Sequence, residues 1–306
     1  LDKGAMALAD AERAAALYDK VGPAVECSGG SAANTIAGLA SLGGRGAFIG
    51  KVANDALGGV FRDDIKALGV AFETAPATDG TPTATSLVLV SPDAERTMQT
   101  YLGACVDLGP ADIDENMVRA AAVTYLEGYL WDPPAAKEAF LKAAAVAHAN
   151  GRKVSLSLSD PFCVERHRGD FLELIAGHVD ILFANEDEII SLYKAGEFDA
   201  ALQAVRGHCE IVALTRGPKG SVVLSGDEVH VVDADPVASL VDTTGAGDAY
   251  AAGFLYGLSQ GDGLARAAHI GNVAAGEVIQ HLGARPDQPL SELVAAKLGA
   301  TKHDEA

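Results

Sequence analysis

The chain has 306 residues, 49% of them apolar and only 6% aromatic, a composition that suits tightly packed helices on a buried sheet and excludes a disordered polymer. Its formal net charge of -19 argues against nucleic acid and anionic membrane surfaces as partners, because both need clustered Lys and Arg. An anionic ligand must then be met by local donors, helix N-termini or a metal ion.

Residues 6–20 carry Ala, Leu and Tyr at helical spacing behind a possible cap at Asp10, and predict a helix. After a turn around 27–30, a small-residue helix is expected over 31–42, a short strand over 47–52 and a helix over 57–68 that stops at Gly69. Segments 81–90 and 96–102 are rich in Thr and β-branched residues and flank Ser91-Pro92-Asp93, which reads as a hairpin. It belongs to a small sheet, with its main part over 72–104, set apart from the main one. From 123 onward short apolar strands alternate with helices. Strands are expected at 123–127, 154–158, 181–184, 211–215 and 221–224, and helices at 134–150, 165–176 and 186–193. A long helix follows Gly245, and another covers 264–281. Such alternation implies a mostly parallel sheet with helices on both faces, and ligands beyond the carboxyl ends of its strands.

Cys27, Cys105, Cys163 and Cys209 form no C-x-x-C pair and read as free thiols in a reducing cytosol. No signal peptide and no apolar run of roughly 20 residues is visible, so a cytoplasmic location is expected.

The richest stretch is Asp242-Thr-Thr-Gly-Ala-Gly-Asp248 at the start of an apolar helix. Its two glycines let backbone N–H groups converge, and a positive helix terminus favours an anion there. Asp248 is either an ordinary capping carboxylate or a base beside a phosphoryl site. No Gly-Lys-Ser/Thr follows, so this is not a Walker A loop, and the G-x-G-x-x-G spacing of a nicotinamide site is absent.

This stretch, continued by Ala-Tyr-Ala-Ala-Gly-Phe254, resembles the C-terminal signature of the ribokinase-like (PfkB) carbohydrate and nucleoside kinases. Ser28-Gly-Gly-Ser-Ala-Ala-Asn-Thr-Ile-Ala-Gly-Leu-Ala-Ser-Leu-Gly43, about 200 residues earlier, resembles the N-terminal one. The resemblance runs from about residue 5 to about 290. It implies a three-layer α/β/α fold in one domain spanning 1–306 with a small β lid, and a kinase using ATP and Mg²⁺. Asp248 would be the base, and the N–H groups of Gly245, Ala246 and Gly247 the anion hole. Gly29, Gly30 and Asn34 would meet the acceptor, with helix capping the ordinary alternative for Asn34.

Asn185-Glu-Asp-Glu188 is similar to the family's N-x-x-E motif, which implies that Asn185 and Glu188 organise Mg²⁺ and phosphates largely through water. As sequence alone it also reads as an acidic helix N-terminus. Thr215-Arg-Gly-Pro-Lys-Gly220 is similar to the T-x-G-x-x-G turn near ATP, implying roles for Thr215, Gly217 and Gly220; Arg216 either faces the triphosphate or is a solvated surface charge. Asn272 falls where relatives line the adenine pocket. Arg96, after the hairpin turn, either approaches phosphate or is a charge at a sheet edge.

The stretches at 125–131, 156–162 and 179–186 look more like adenosine kinases than ribokinases or fructokinases. Tyr129 and Phe162 are the candidates for stacking on a purine, against ordinary packing. The resemblance therefore implies adenosine converted to AMP. The alternatives are a sugar kinase acting on ribose, fructose or a keto-deoxy sugar, and a catalytically idle nucleotide- or nucleoside-binding protein. A monomer or a homodimer paired through the lid is expected. Relatives also open with a strand bearing Gly-Asn and a sugar-binding Asp. That strand is expected in the native chain ahead of Leu1, since losing it would leave an unpaired sheet edge.

Overall fold

The computed structural model describes residues 3, 6–22 and 24–299. In chain order the elements are β1 (Met6–Leu8), α1 (Ala11–Val21), α2 (Ser31–Ser41), α3 (Ala56–Ala67), β2 (Thr85–Val90), β3 (Arg96–Tyr101), α4 (Glu115–Ala120) and β4 (Val123–Glu127). There follow α5 (Pro134–Ala149), β5 (Lys153–Ser157), α6 (Pro161–His178), β6 (Ile181–Asn185), α7 (Glu186–Tyr193), α8 (Phe198–Val205) and β7 (Ile211–Thr215). The chain continues with β8 (Ser221–Ser225), β9 (Glu228–Val232), α9 (Ala246–Ser259), α10 (Leu264–Val278) and α11 (Leu290–Leu298).

The larger sheet has six strands in the order β4-β5-β6-β7-β8-β9. β4 to β7 pair in parallel, while β8 and β9 add on antiparallel. Period-two alternation divides each strand between two cores. Leu182, Val212, Leu214, Val222 and Leu224 face Phe140 of α5, Phe171 of α6, Ile189 of α7 and Leu202 of α8. Ile181, Phe183, Ala213 and Val223 face Tyr250 and Phe254 of α9 and Ala267 of α10. The result is helices, sheet, helices: the three layers expected from the alternating pattern.

The smaller sheet has the order β1-β3-β2, with β2 and β3 antiparallel and in register from Thr85↔Tyr101 to Val90↔Arg96. β1 corrects the expected helix over 6–20. Met6–Leu8 pairs in parallel with Met98–Thr100, and the helix starts only after Asp10, whose carboxylate accepts from Arg13 N–H. Local periodicity could not show this, because the strand's partner lies about 90 residues away. The strand expected over 47–52 is reduced to two isolated parallel bridges, Ala47↔Ala71 and Ala53↔Ala77. The helix expected over 165–176 begins earlier, at Pro161, capped by Asp160. α4, α8, β9 and α11 carried no signal strong enough to be read from the sequence. The four cysteines are unpaired. Among the described residues no helix is long and apolar enough to cross a membrane.

Candidate active site

The parallel strands end in a cleft of about 2290 Å³, lined by the last residue of each: Glu127, Ser157, Asn185 and Thr215. Small-molecule pockets run to roughly 1,000 Å³, so this cleft has room for two ligands side by side. The lid sheet and α1 line it, as do the N-termini of α2 and α9, which meet at Asp248.

The loop before α9 is tied from within. Asp242 is buried; its Oδ1 accepts from the N–H and hydroxyl of Thr244 at 2.9 and 2.6 Å, and its Oδ2 from Gly283 N–H at 3.2 Å. Gly245 then caps α9 with φ of 82°, and a Cβ there would lie 2.7 Å from Ala284, so only glycine is accommodated. The helix's first return bond runs from Ala249 N–H to Gly245 O at 2.8 Å. The N–H groups of Gly247 and Asp248 precede it and have no acceptor within the helix. Nothing lies within 4 Å of the space a Gly247 side chain would fill. Of the three amides expected to form the anion hole, that of Ala246 is turned to Thr243 O, at 3.3 Å. The remaining free donors at a helix N-terminus suit a phosphate group.

Asp248 lies in the first turn of α9, half-buried in the cleft. Ser31 Oγ donates to its Oδ1 at 2.7 Å and Asn34 Nδ2 to its Oδ2 at 3.0 Å. Burial pushes this carboxyl above its ordinary range, opposed by the two donors and by the charge of Arg96. Asn34 is buried, and its Oδ1 has no donor. Gly30 turns the chain with φ of 95°, and Gly29 is exposed with no atom near its missing side chain. The two signatures, distant in sequence, thus converge on one carboxylate.

Glu127 was not singled out from the sequence. Its Oε2 accepts from Ala32 N–H at 2.7 Å, which fixes the start of α2. Burial, then the nearby charge of Asp248, pushes its carboxyl up to about 7 against the pull of that N–H. Its place as the last residue of a predicted strand, where α/β folds bind ligands, was the available signal.

Tyr129 lines the cleft just beyond β4, and burial raises its hydroxyl above the usual tyrosine range. Phe162 does not join it: the ring sits at the start of α6, 55% exposed, outside the set of cleft-lining residues. Asp160 caps α6 and directs the first turn so that this ring faces solvent instead.

On the other side of the cleft, Asn185 and Glu188 form a closed capping box at the start of α7. Glu188 N–H donates to Asn185 Oδ1 at 2.8 Å, while the two Glu188 oxygens accept from Asn185 N–H at 2.9 Å and Nδ2 at 2.6 Å. Burial pushes the Glu188 carboxyl up to about 7. With both oxygens already bound inside the box, Glu188 suits a role toward a metal through water. Among the described residues no group of three or more His, Cys, Asp or Glu could hold an ion alone. That suits Mg²⁺, which keeps its waters and binds mainly through phosphates.

Thr215, Arg216, Gly217 and Gly220 all line the cleft. Arg216 is half-buried and paired: it bonds Glu186 at 3.1 Å and lies 3.9 Å over the Phe198 ring. Asn272 borders the cleft, but its Nδ2 is committed to Val232 O and Asp233 O, so it shapes the wall after β9. Arg96 reaches from the lid to Thr243 Oγ1 at 2.9 Å.

Comparison with known proteins gives the family. The model of the pfkB family carbohydrate kinases matches residues 9–290. The crystal structure of an adenosine kinase from Sinorhizobium meliloti is 52% identical and superposes with a TM-score of 0.95, covering 98% of this chain and 91% of that one. A probable sugar kinase from Rhizobium etli is equally similar, at 52% identity and a TM-score of 0.95, covering 97% and 90%. An ATP-dependent ribose-1-phosphate kinase from Halopiger xanaduensis is 34% identical over 89% of this chain and 87% of its own length.

Proposed function

We propose that this chain, which belongs to the pfkB family of carbohydrate kinases, transfers a phosphoryl group from ATP to the 5′-hydroxyl of a purine nucleoside, adenosine before others. Membership of the family makes it a phosphotransferase with an alcohol acceptor. The choice of acceptor is our reading. Written out, R–OH + ATP gives R–O–PO₃²⁻ + ADP + H⁺.

The observation that carries the reading is Asp248, held between α2 and α9 beside two unsatisfied N–H groups. ATP would supply the γ-phosphoryl group, and Mg²⁺, met through water by Glu188, would supply positive charge against its phosphates. Asp248 accepts the proton of the acceptor hydroxyl, and its raised affinity for protons suits that task. The Gly247 and Asp248 N–H groups stabilise negative charge at the helix terminus. Asn34 Oδ1, buried without a donor, receives a second hydroxyl of the acceptor. Catalysis then rests on positioning and electrostatics, with the lid excluding water.

A nucleoside is favoured over a bare sugar by the face of the lid. Arg96 points to the α9 loop, so period two puts Met98 on the same face of β3, flanked in register by Val88 and Met6. All three line the cleft, as does Tyr129. Such a surface suits a base, with roughly 1–3 kcal/mol per stacking contact by analogy with nucleic-acid binders. The 52% identity to an adenosine kinase supports the same reading. The sugar-kinase reading is supported by the ribose-1-phosphate kinase and by a 30% identical 5-dehydro-2-deoxygluconokinase from Geobacillus thermodenitrificans.

Purified protein with ATP and Mg²⁺, screened against adenosine, other nucleosides and a sugar panel, separates the readings. Adenosine turnover is expected. Turnover of a sugar but not of adenosine would replace the nucleoside reading. Tight ATP or adenosine binding with no phosphorylated acceptor would mark an idle binding protein.

A further inference from the structure

The orientation of the Asp248 carboxylate is set by an element other than its own. Asp248 is on α9, yet both its oxygens are held from the first turn of α2: Oδ1 by Ser31 Oγ at 2.7 Å and Oδ2 by Asn34 Nδ2 at 3.0 Å. That turn is itself anchored. Glu127 at the end of β4 accepts from Ala32 N–H, and Thr35 Oγ1 donates to Ser31 O at 3.1 Å. The backbone of Ser31 therefore stands on a fixed base, from which its hydroxyl reaches Asp248.

The two donors differ chemically. Asn34 Nδ2 can only donate, so a proton arriving on Oδ2 would find no acceptor there. The Ser31 hydroxyl donates to Oδ1 now, and can turn its proton away and accept from Oδ1 once that oxygen is protonated. Oδ1 is thus the oxygen on which a new proton can be received without undoing the clamp.

We infer that Ser31 is a positioning residue for Asp248: its hydroxyl aims the carboxylate and marks Oδ1 as the oxygen that receives the acceptor's proton. The inference rests on Asp248 being the base. In the step, the acceptor's O–H bond breaks and its proton goes to Oδ1. The freed electron pair forms the new O–P bond, and the bond from the γ-phosphorus to the bridging oxygen breaks with its pair leaving on ADP. Ser31 is not consumed and gains no phosphate. The charged or titratable groups facing Asp248 are Glu127, Tyr125 and Tyr129 from β4 and its exit, and Arg96 from β3. None of them donates to Oδ1 in the structure, which leaves that part to Ser31.

The test compares wild type with Ser31→Ala, Ser31→Cys and Ser31→Thr, with Asp248→Asn in parallel. Turnover is measured across pH on whichever acceptor the wild type uses. The Asp248 carboxyl is followed by carbon NMR in ¹³C-Asp-labelled protein without acceptor, its signal assigned through Asp248→Asn. Ala and the weakly donating Cys should each lower kcat at the acidic end by about tenfold, the loss of one hydrogen bond to a charged group. They should leave the acceptor KM within about twofold, and move both the acidic limb and the Asp248 titration to higher pH. Thr should restore all three. An unmoved Asp248 titration in Ala and Cys overturns the inference. So does a pH-independent loss with an equal rise in KM that Thr does not rescue. Near-normal turnover by Asp248→Asn would instead overturn the base itself, so the two failures are distinguishable.

Discussion

Arg96 of β3 donates from Nη1 to Thr243 Oγ1 at 2.9 Å, joining the lid to the loop that leads into α9 across 147 residues of sequence. The bond holds a guanidinium close enough for its charge to act on Asp248, Glu188 and Tyr129. The lid and the proposed phosphate site are therefore one electrostatic unit. Arg96→Ala should lower kcat by about tenfold or more and raise the KM for ATP, while Thr243→Val, which removes only the tie, should do much less. Steady-state kinetics on both variants check this. Equal effects would mean that the hydrogen bond, not the charge, matters.

Asp248→Asn removes the proposed proton acceptor while keeping the shape of the side chain. A loss of about 10²–10⁴-fold in kcat is expected, with ATP and acceptor dissociation constants nearly unchanged by calorimetry. An Asn variant with near-native kcat would falsify the assignment.

Gly245→Ala should damage both stability and activity. The position has φ of 82° and its Cβ would lie 2.7 Å from Ala284. A strain of about 1–3 kcal/mol is expected, read as a lower thermal midpoint, and the displaced α9 terminus should lower kcat as well. A variant as stable as wild type would show that the 283–287 segment yields freely.

Glu188 links stability to pH. Burial raises its carboxyl from an ordinary 4.5 to about 7, so the folded protein binds this proton more tightly than the unfolded chain. The favourable contribution is complete below the unfolded value and is lost as pH rises through about 7. Glu188→Gln cannot titrate. Relative to wild type it should therefore gain stability between pH 5 and pH 8, by up to about 3 kcal/mol. Denaturant melts at the two pH values give the difference, and a constant offset between the proteins would count against it.

Met98→Ala and Tyr129→Ala probe the proposed base-binding walls. Each should raise the KM for adenosine by roughly 5- to 100-fold while leaving the KM for ATP near its original value. If both constants rose together, the two walls would belong to the ATP side or to the lid's own packing.

Much of the architecture was legible because its signals are local. The helix over Glu186–Tyr193 and the strand over Ile211–Thr215 have the bounds that apolar spacing and flanking residues suggest. Asp10, Asn185 and Gly245 acted as the caps or turns their chemistry implies. Met6–Leu8 has no local strand signal, since a three-residue strand exists only by pairing with Met98–Thr100. The stretch at 47–52 has strand composition, but no neighbour pairs with it along its length.

Residue order alone carries the chemistry on offer: a glycine-bearing helix start with a carboxylate in its first turn, a second glycine turn leading into Asn34, and alternating strands that place ligands at their carboxyl ends. Those properties depend on residue type and short spacing. Which of these groups are free to act depends on the packing of distant segments. Glu188 has both oxygens bound by Asn185, Asn272 has its amide committed to β9's exit, and Phe162 faces solvent. Asp248, by contrast, is clamped by Ser31 and Asn34 from over 200 residues away, next to Glu127. Hydrogen-bond partners and burial come from surfaces brought together by packing, and no local pattern encodes them.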